Sequence, residues 1–126
     1  MTPAATSQPS RISVRTPSAE YAVTIGGGIS ARLVGILDDV RFPARRFIVS
    51  STTVWRLHGD RFQSLTAEEP ILIPDGERFK TLSTVARIYD ALVRAQADRG
   101  AGVVAIGGGV VGDVAGFAAA TFLRGL

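Results

Sequence analysis

Short apolar runs alternate with helically spaced apolar residues along most of this chain. Residues 11–15 and 21–25 alternate between apolar and polar positions, which predicts two short strands that can pair as a hairpin. Apolar residues then recur at helical spacing from Ile29 to Leu37, and this predicted first helix ends before Pro43. The N-terminal part is therefore expected to hold two strands and one helix.

The rest of the chain repeats a strand-then-helix order. Buried strands are predicted at residues 46–51, 71–73 and 103–106, and Thr52 or Thr53 is expected to cap the helix that follows the first of them. The helical apolar positions are Val54, Leu57 and Phe62, then Leu82, Val85, Ile88, Tyr89, Leu92 and Val93, and finally a small-residue segment from Val111 to about Leu123. This βαβα order predicts an α/β, Rossmann-like fold with a largely parallel sheet, flanking helices and right-handed crossovers.

The last predicted strand leads through three glycines into the last helix. Glycines let a ligand approach the main chain closely, and the first turn of a helix offers unpaired N–H groups with partial positive charge. Gly107, Gly109 and Gly112 satisfy the Gly-x-Gly-x-x-Gly pattern of dinucleotide sites, although the pattern alone is weak in a chain with 14 glycines. An acidic residue about 20 positions later, which usually binds the ribose, would fall beyond Leu126. The loop predicts a phosphate cradle, but not an ordinary first βαβ unit.

A second group of polar residues follows the strand at residues 71–73, where parallel sheets place their ligands. Asp75 can accept hydrogen bonds from ribose hydroxyls, and Lys80, the only lysine beside 13 arginines, can approach a phosphate or a hydroxyl. The alternative needs no ligand. Asp75 would cap the next helix, and Glu77 would stabilise the positive N-terminal end of that helix. The presence of a single lysine here would then be a matter of chance.

Three further polar residues have both a functional and a structural interpretation. Asp113 can reach a ligand amide or hydroxyl, or cap its own helix. Arg124 can bind a substrate phosphate or carboxylate, or be solvated surface. His58, the only histidine, is interpreted as an ordinary helix residue, and no cluster of metal ligands is present.

Composition narrows the class of protein. A hydrophobic content of 46% with 20% charged residues fits one globular domain, and a net charge of +3 without a basic stripe argues against nucleic-acid binding. The absence of cysteine fits a reducing compartment, and the cytoplasm is expected.

The apolar segment from Ala101 to Leu123 resembles a spanning helix, but its glycines and Asp113 argue against a membrane. Residues 1–10 are expected to be a flexible leader and residues 11–126 one α/β domain.

Two motifs together resemble one enzyme family. They are Pro74-Asp75-Gly76-Glu77-x-x-Lys80 and Gly107-Gly108-Gly109-Val110-Val111-Gly112-Asp113-x-Ala115-Gly116-Phe117-Ala118-Ala119-Ala120-Thr121-x-x-Arg124-Gly125. The combination closely resembles 3-dehydroquinate synthases over residues 13–126, or about the first third of such an enzyme. Related sugar-phosphate cyclases share much of the pattern, whereas iron-type alcohol and glycerol dehydrogenases share the fold and part of the glycine loop. A stand-alone, non-catalytic nucleotide-binding module is a further alternative.

The resemblance implies that residues 11–126 are the NAD-binding α/β domain of an NAD-dependent lyase, which also needs a divalent metal, zinc or cobalt. Such enzymes convert the sugar phosphate 3-deoxy-D-arabino-heptulosonate 7-phosphate into 3-dehydroquinate and phosphate, in the shikimate route to aromatic amino acids. The family's metal ligands lie in a C-terminal helical domain that is absent from this chain. The 126 residues alone are therefore expected to be inactive, and the full-length enzyme is expected to be a homodimer.

The resemblance also assigns residues to the site. The expected cofactor-binding residues are Asp75, Gly76, Glu77, Arg78, Phe79 and Lys80 on the adenosine ribose side, and Gly108, Gly109, Val110, Val111, Gly112 and Asp113 around the pyrophosphate and nicotinamide. Arg124 matches a substrate-contacting arginine. Ser51 stands where relatives often carry Asp or Asn, so this chain departs from the pattern there.

Overall fold

The computed structural model describes residues 8–126, which form five strands and four α-helices. The expected leader falls mostly on residues outside this range, and Ser10 already belongs to the first strand. The elements in chain order are β1 (Ser10–Arg15), β2 (Glu20–Ile25), α1 (Leu33–Asp39), β3 (Arg46–Ser51), α2 (Thr52–His58), β4 (Ile71–Ile73), α3 (Leu82–Arg94), β5 (Gly102–Ile106) and α4 (Gly109–Thr121). Short 3₁₀ segments cover Ile29–Arg32, Gly59–Leu65, Glu77–Phe79 and Phe122–Arg124.

The strands form two separate sheets. β1 and β2 pair antiparallel, as the predicted hairpin requires, with Ser10 opposite Ile25 and Arg15 opposite Glu20. β3, β4 and β5 form a parallel sheet in the order β4-β3-β5. The predicted α/β class and the parallel sheet with flanking helices are confirmed.

β3 is buried along its whole length, because apolar residues cover both faces of the parallel sheet. Phe47 and Val49 belong to a core formed with α3, α4 and the buried end of β4. Ile48, which points to the opposite face, packs in a second cluster with Val104 and Phe62. The sheet is therefore sandwiched between two layers, and its strand ends remain at the edges.

Several local predictions were wrong in detail. Ser51, and not Thr52 or Thr53, caps α2, because its side chain accepts a hydrogen bond from the amide of Val54 at 3.3 Å. Phe62 is buried, but in a 3₁₀ segment beyond α2.

Three residues of the predicted stripes lie at the surface, with Leu82 73% exposed and both Leu57 and Val93 63% exposed. In α3 the buried positions are Thr84, Val85, Ile88 and Leu92. Only this narrower stripe faces the core. In residues 8–126 no helix combines the length and apolar character needed to cross a membrane.

Candidate cofactor site

The carboxyl ends of three parallel strands meet at one edge of the sheet. β3 ends at Ser51, with β4 on one side and β5 on the other. Ser51 pairs with Ile73 on β4, and Ser50 pairs with Ile106 on β5. The residues that follow each strand are therefore neighbours, and open α/β sheets bind ligands at this edge. The two sequence motifs, more than 25 residues apart along the chain, share it.

The N-terminus of α4 is left open by its glycines. Gly108 is the N-cap and offers no side chain, and the helical bonding begins with the Gly112 amide donating to the Gly108 carbonyl at 3.1 Å. The amides at the start of α4 thus lack intrahelical acceptors and carry the positive end of the helix dipole. A Cβ at Gly108 or Gly109 would meet no atom within 4 Å. This space, together with the open amides, fits an anion.

Gly107 has a packing role instead. A Cβ at this position would lie 2.6 Å from Cγ2 of Val111, and the backbone has a φ of +157°. Only a residue without a side chain therefore lets the loop lie directly on the first turn of α4. Gly107 fixes the loop against the helix, while the next two glycines keep the approach open.

Asp75 reaches across to the start of α2 rather than capping the turn that follows it. Its Oδ2 accepts hydrogen bonds from the amide of Thr53 at 3.3 Å and from the Thr53 hydroxyl at 3.0 Å. The Ser51 hydroxyl lowers the pKa of Asp75 most, burial opposes this effect, and the Thr53 hydroxyl and amide lower the pKa further. The following 3₁₀ segment, Glu77–Phe79, has no side-chain cap. Asp75 therefore accepts a backbone hydrogen bond at a helix start, as the capping alternative predicted. The helix is α2, however, and not the segment that follows Asp75.

Lys80 connects the loop that follows β4 (residues 74–80, the Asp75 loop) to α4. Its Nζ lies 2.8 Å from Oδ2 of Asp113 and 3.4 Å from Oε2 of Glu77. The hydrogen bonds with Asp113 and then with Glu77 raise the pKa of Lys80, against a smaller effect of burial, so the ammonium form is favoured. Asp113 is the fifth residue of α4 and does not cap it. The lysine holds the two motifs together by charge.

Eight of the twelve predicted cofactor residues line two surfaces beside the first turns of α4. The first is an open cleft of about 190 Å³. Its lining residues are Ser51, Pro74, Asp75, Gly76, Gly108, Gly109, Val110 and Val111. The second is a mostly apolar recess of about 300 Å³. Its lining residues are Lys80, Thr81, Leu82, Val85, Asp113, Val114 and Phe117.

Other predicted site residues lie beside these surfaces or away from them. Glu77 contacts Lys80, and the guanidinium of Arg78 lies 4.8 Å from the ring centre of Phe79. Glu77, Arg78, Phe79 and Gly112 line neither of the two surfaces. Their assignment stays a prediction.

Arg124 lies at the opposite end of α4 from the glycine loop. The 13 residues of that helix span roughly 20 Å, so Arg124 does not share the cleft. Its role in binding substrate stays a prediction. Within residues 8–126, no group of three or more His, Cys, Asp or Glu side chains is arranged to hold a metal ion.

Sequence reasoning missed three hydroxyl residues that shape the site. Ser50 was not singled out, Thr53 was considered only as a helix cap, and Ser51 was noted only as a departure from a family pattern. The available signal was the run Ser50-Ser51-Thr52-Thr53, four hydroxyl side chains at the end of a buried strand. Such residues bond to nearby backbone groups, which is what a strand end next to a helix start requires.

Sequence comparison supports the family resemblance that the two motifs indicate. Residues 70–126, which contain both motifs, match the family described as 3-dehydroquinate synthase N-terminal. The 3-dehydroquinate synthase of Syntrophotalea carbinolica is 46% identical over 111 residues, covering 84% of this chain and 31% of that enzyme. By sequence, this chain is similar to the N-terminal part of 3-dehydroquinate synthases. The predicted resemblance is confirmed.

A second relative agrees, and the partial coverage recurs. The 3-dehydroquinate synthase of Halorhodospira halophila is 44% identical over 107 residues, covering 84% of this chain and 30% of that enzyme. The chain thus spans about a third of the length of the curated 3-dehydroquinate synthases it matches.

Solved structures of sugar-phosphate cyclases share the fold. A 2-deoxy-scyllo-inosose synthase, complexed with carbaglucose-6-phosphate, NAD⁺ and Co²⁺, superposes with a TM-score of 0.75 at 22% identity, over 93% of this chain and 33% of that one. A 2-epi-5-epi-valiolone synthase from Streptomyces hygroscopicus subsp. jinggangensis, with NAD⁺ and Zn²⁺ bound, gives a TM-score of 0.63 at 29% identity, over 75% of this chain and 28% of that one.

Proposed function

We propose that this chain is the NAD-binding part of a 3-dehydroquinate synthase. The observation that carries the proposal is the open N-terminus of α4, which lies beside Asp75 at the edge where three parallel strands end. A dinucleotide needs an anion site for its pyrophosphate and hydrogen-bonding groups for its ribose, and both kinds of group border one cleft.

The glycine loop would hold the pyrophosphate. The start of α4 offers backbone amides, and the free space above Gly108 and Gly109 lets phosphate oxygens approach them. Because Gly107 is packed on Val111, the loop would be largely preformed and would lose little conformational entropy on binding. The fit of NAD to this chain thus rests on backbone groups more than on side chains.

The Asp75 loop would supply the polar side-chain contacts. Both hydrogen bonds from Thr53 go to Oδ2 of Asp75, so Oδ1 would accept a ribose hydroxyl without breaking them. Lys80, held as an ammonium, balances the carboxylates around it and would be attractive to a phosphate. These contacts would orient the cofactor along the strand ends.

The activity of the complete protein is part of the same proposal. We infer that it converts 3-deoxy-D-arabino-heptulosonate 7-phosphate into 3-dehydroquinate and phosphate, as a cytoplasmic homodimer, with Arg124 contacting the substrate. NAD, when bound, would accept a hydride from a substrate alcohol and return it within the same turnover. The residues at positions 8–126 do not fit a divalent metal, so no step through a metal is assigned to them. We propose that the 126 residues alone have no turnover.

A related cyclase activity is the second candidate, favoured by the shared fold with 2-deoxy-scyllo-inosose synthase. Identity separates the two candidates. It reaches 46% with a 3-dehydroquinate synthase but 22% and 29% with the two cyclases whose structures superpose. Sequence similarity therefore supports the first candidate more strongly.

The cofactor site can be tested with two matched glycine substitutions in α4. Gly109→Ala places a methyl group in the cleft, whereas Gly116→Ala places one in open space in the middle of the same helix. We expect NAD binding, measured by isothermal titration calorimetry, to weaken about tenfold or more in Gly109→Ala, because the methyl group blocks approach to the amides. Binding to Gly116→Ala should match the unmodified chain.

Thermal unfolding of both variants separates binding from folding. Neither added methyl group meets another atom within 4 Å, and alanine is the better helix former, so neither variant should unfold at a lower temperature. Equal NAD affinity in the two variants, or no NAD binding by the unmodified chain, would contradict the proposed site.

A further inference from the structure

Ser50 is a fully buried hydroxyl residue in the central strand, outside the proposed cofactor contacts. Its side chain is 0% exposed, and its Oγ donates a hydrogen bond of 2.7 Å to the carbonyl oxygen of Ile106. Ile106 is the last residue of β5 and directly precedes the glycine loop. A hydroxyl group on one strand thus holds the final carbonyl of its neighbour.

The hydrogen bond from Ser50 to Ile106 lies at the end of the β3–β5 ladder. Ser50 and Ile106 are the last paired residues of β3 and β5, since β3 ends one residue later and the chain turns into α2. Beyond this pair, no strand partner fixes the backbone of β5. The Ser50 hydroxyl therefore replaces the next ladder bond and fixes the plane of the Ile106–Gly107 peptide.

The effect of that peptide extends to α4. Gly107 lies so close to Val111 that an added Cβ would clash with it, so a rotation at the Ile106–Gly107 peptide would displace the first turn of α4. The start of α4 holds the open amides at the cleft. Ser50 is thereby linked, through Ile106 and Gly107, to the direction in which those amides point.

We propose that Ser50 is a positioning residue that orients the glycine loop for anion binding. This inference rests on the proposed function for its ligand, the pyrophosphate of NAD, while its structural part concerns only the loop. Ser50 does not line the cleft. It acts by holding the backbone that forms the cleft, as preorganised sites require.

The test compares two hydroxyl deletions at neighbouring strand ends. Ser50→Ala removes the bond to the last carbonyl of β5, and Thr52→Val removes the longer, 3.4 Å bond to the last carbonyl of β4. Amide order parameters from NMR relaxation report the loop directly. We expect them to fall at Gly107, Gly108 and Gly109 in Ser50→Ala, from about 0.85 toward 0.6, while β3 stays rigid. Thr52→Val should leave all three unchanged.

NAD binding gives a second readout. Calorimetry with NAD should show about tenfold weaker binding by Ser50→Ala than by Thr52→Val, because misoriented amides lose the anion. Unchanged loop order in Ser50→Ala would overturn the inference. If the unmodified chain binds no NAD, the proposed function fails, and the loop order parameters still decide the role of Ser50.

Folding of the variant is controlled within the same experiment. If Ser50→Ala also loosens β3, Ser50→Cys keeps the side-chain size with a much weaker donor. A Ser50→Cys loop as rigid as the unmodified loop would overturn the inference, and a selective loss of order at the three glycines would support it.

Discussion

The candidate site depends on hydroxyl groups and carboxylates that bond across strand ends. Asp75 illustrates the limit of sequence reasoning. Its place after a strand made it a candidate site residue, and it lines the cleft. Its partner, Thr53, is 22 residues away, and only the register of β3 against β4 brings them together. The location of Asp75 at a strand end was predictable from the local sequence, but its contact with Thr53 was not.

Protonation of Asp75 should weaken the fold in acid. Because its pKa is below the ordinary value of 3.8 in the folded chain, Asp75 contributes stability that is present above about pH 4 and lost as the pH falls through the folded pKa. Asp75→Asn, which cannot ionise, should flatten the pH dependence of the urea midpoint between about pH 4 and pH 2. Parallel curves for the two proteins across that range would show that Asp75 has no such effect.

At the scale of elements, strands were predicted better than helix surfaces. The bounds predicted for β3 and β4 agree with the structure because both are short, continuous apolar runs with clear ends. The helical stripe of α3 was drawn too wide, since Leu82 and Val93 are apolar but exposed. Periodicity identifies a helix and its approximate face, but the width of the buried stripe depends on what packs against it.

The C-terminus of α3 is held by a side chain that no helix pattern indicates. Arg45 donates to the carbonyl of Gln96 at 2.9 Å and to that of Ala95, and its guanidinium also pairs with Glu68. These carbonyls lie at the end of α3, where intrahelical donors run out. Arg45→Met should therefore lower the free energy of unfolding by about 1–3 kcal/mol.

A matched control for Arg45 exists on the hairpin. Arg15 pairs with Glu20 at 3.2 Å, but both side chains are exposed and neither supports a helix end. Arg15→Met should cost less than about 1 kcal/mol in the same urea titration. Equal losses in the two variants would mean that the helix-end contacts of Arg45 add nothing beyond a surface ion pair.

At the scale of the whole molecule, the chain consists of a well-buried parallel unit and a hairpin with little cover. Phe122, just beyond α4, belongs to the buried unit, since it is only 8% exposed and stacks on Tyr89. Phe117 is half-exposed, and the larger group of exposed apolar residues lies on β1 and β2. Alternation predicted the strands correctly, but it could not show that the apolar side of the hairpin faces away from the core.

The hairpin should therefore open independently of the parallel sheet. Ile12 and Ile25, on the same face of the hairpin, are 52% and 57% exposed, and no residue of β1 or β2 belongs to either core cluster. A two-stranded hairpin without a covered face is marginally stable in water, whereas opening of β3 requires the whole sheet to separate. Hydrogen exchange of the 126-residue chain should show hairpin amides exchanging at least about 100-fold faster than those of β3, a difference of roughly 3 kcal/mol. Equal protection in the two sheets would instead mean that the hairpin and the parallel unit unfold as one cooperative structure, in which case the exposed face of β1 and β2 must be covered in solution.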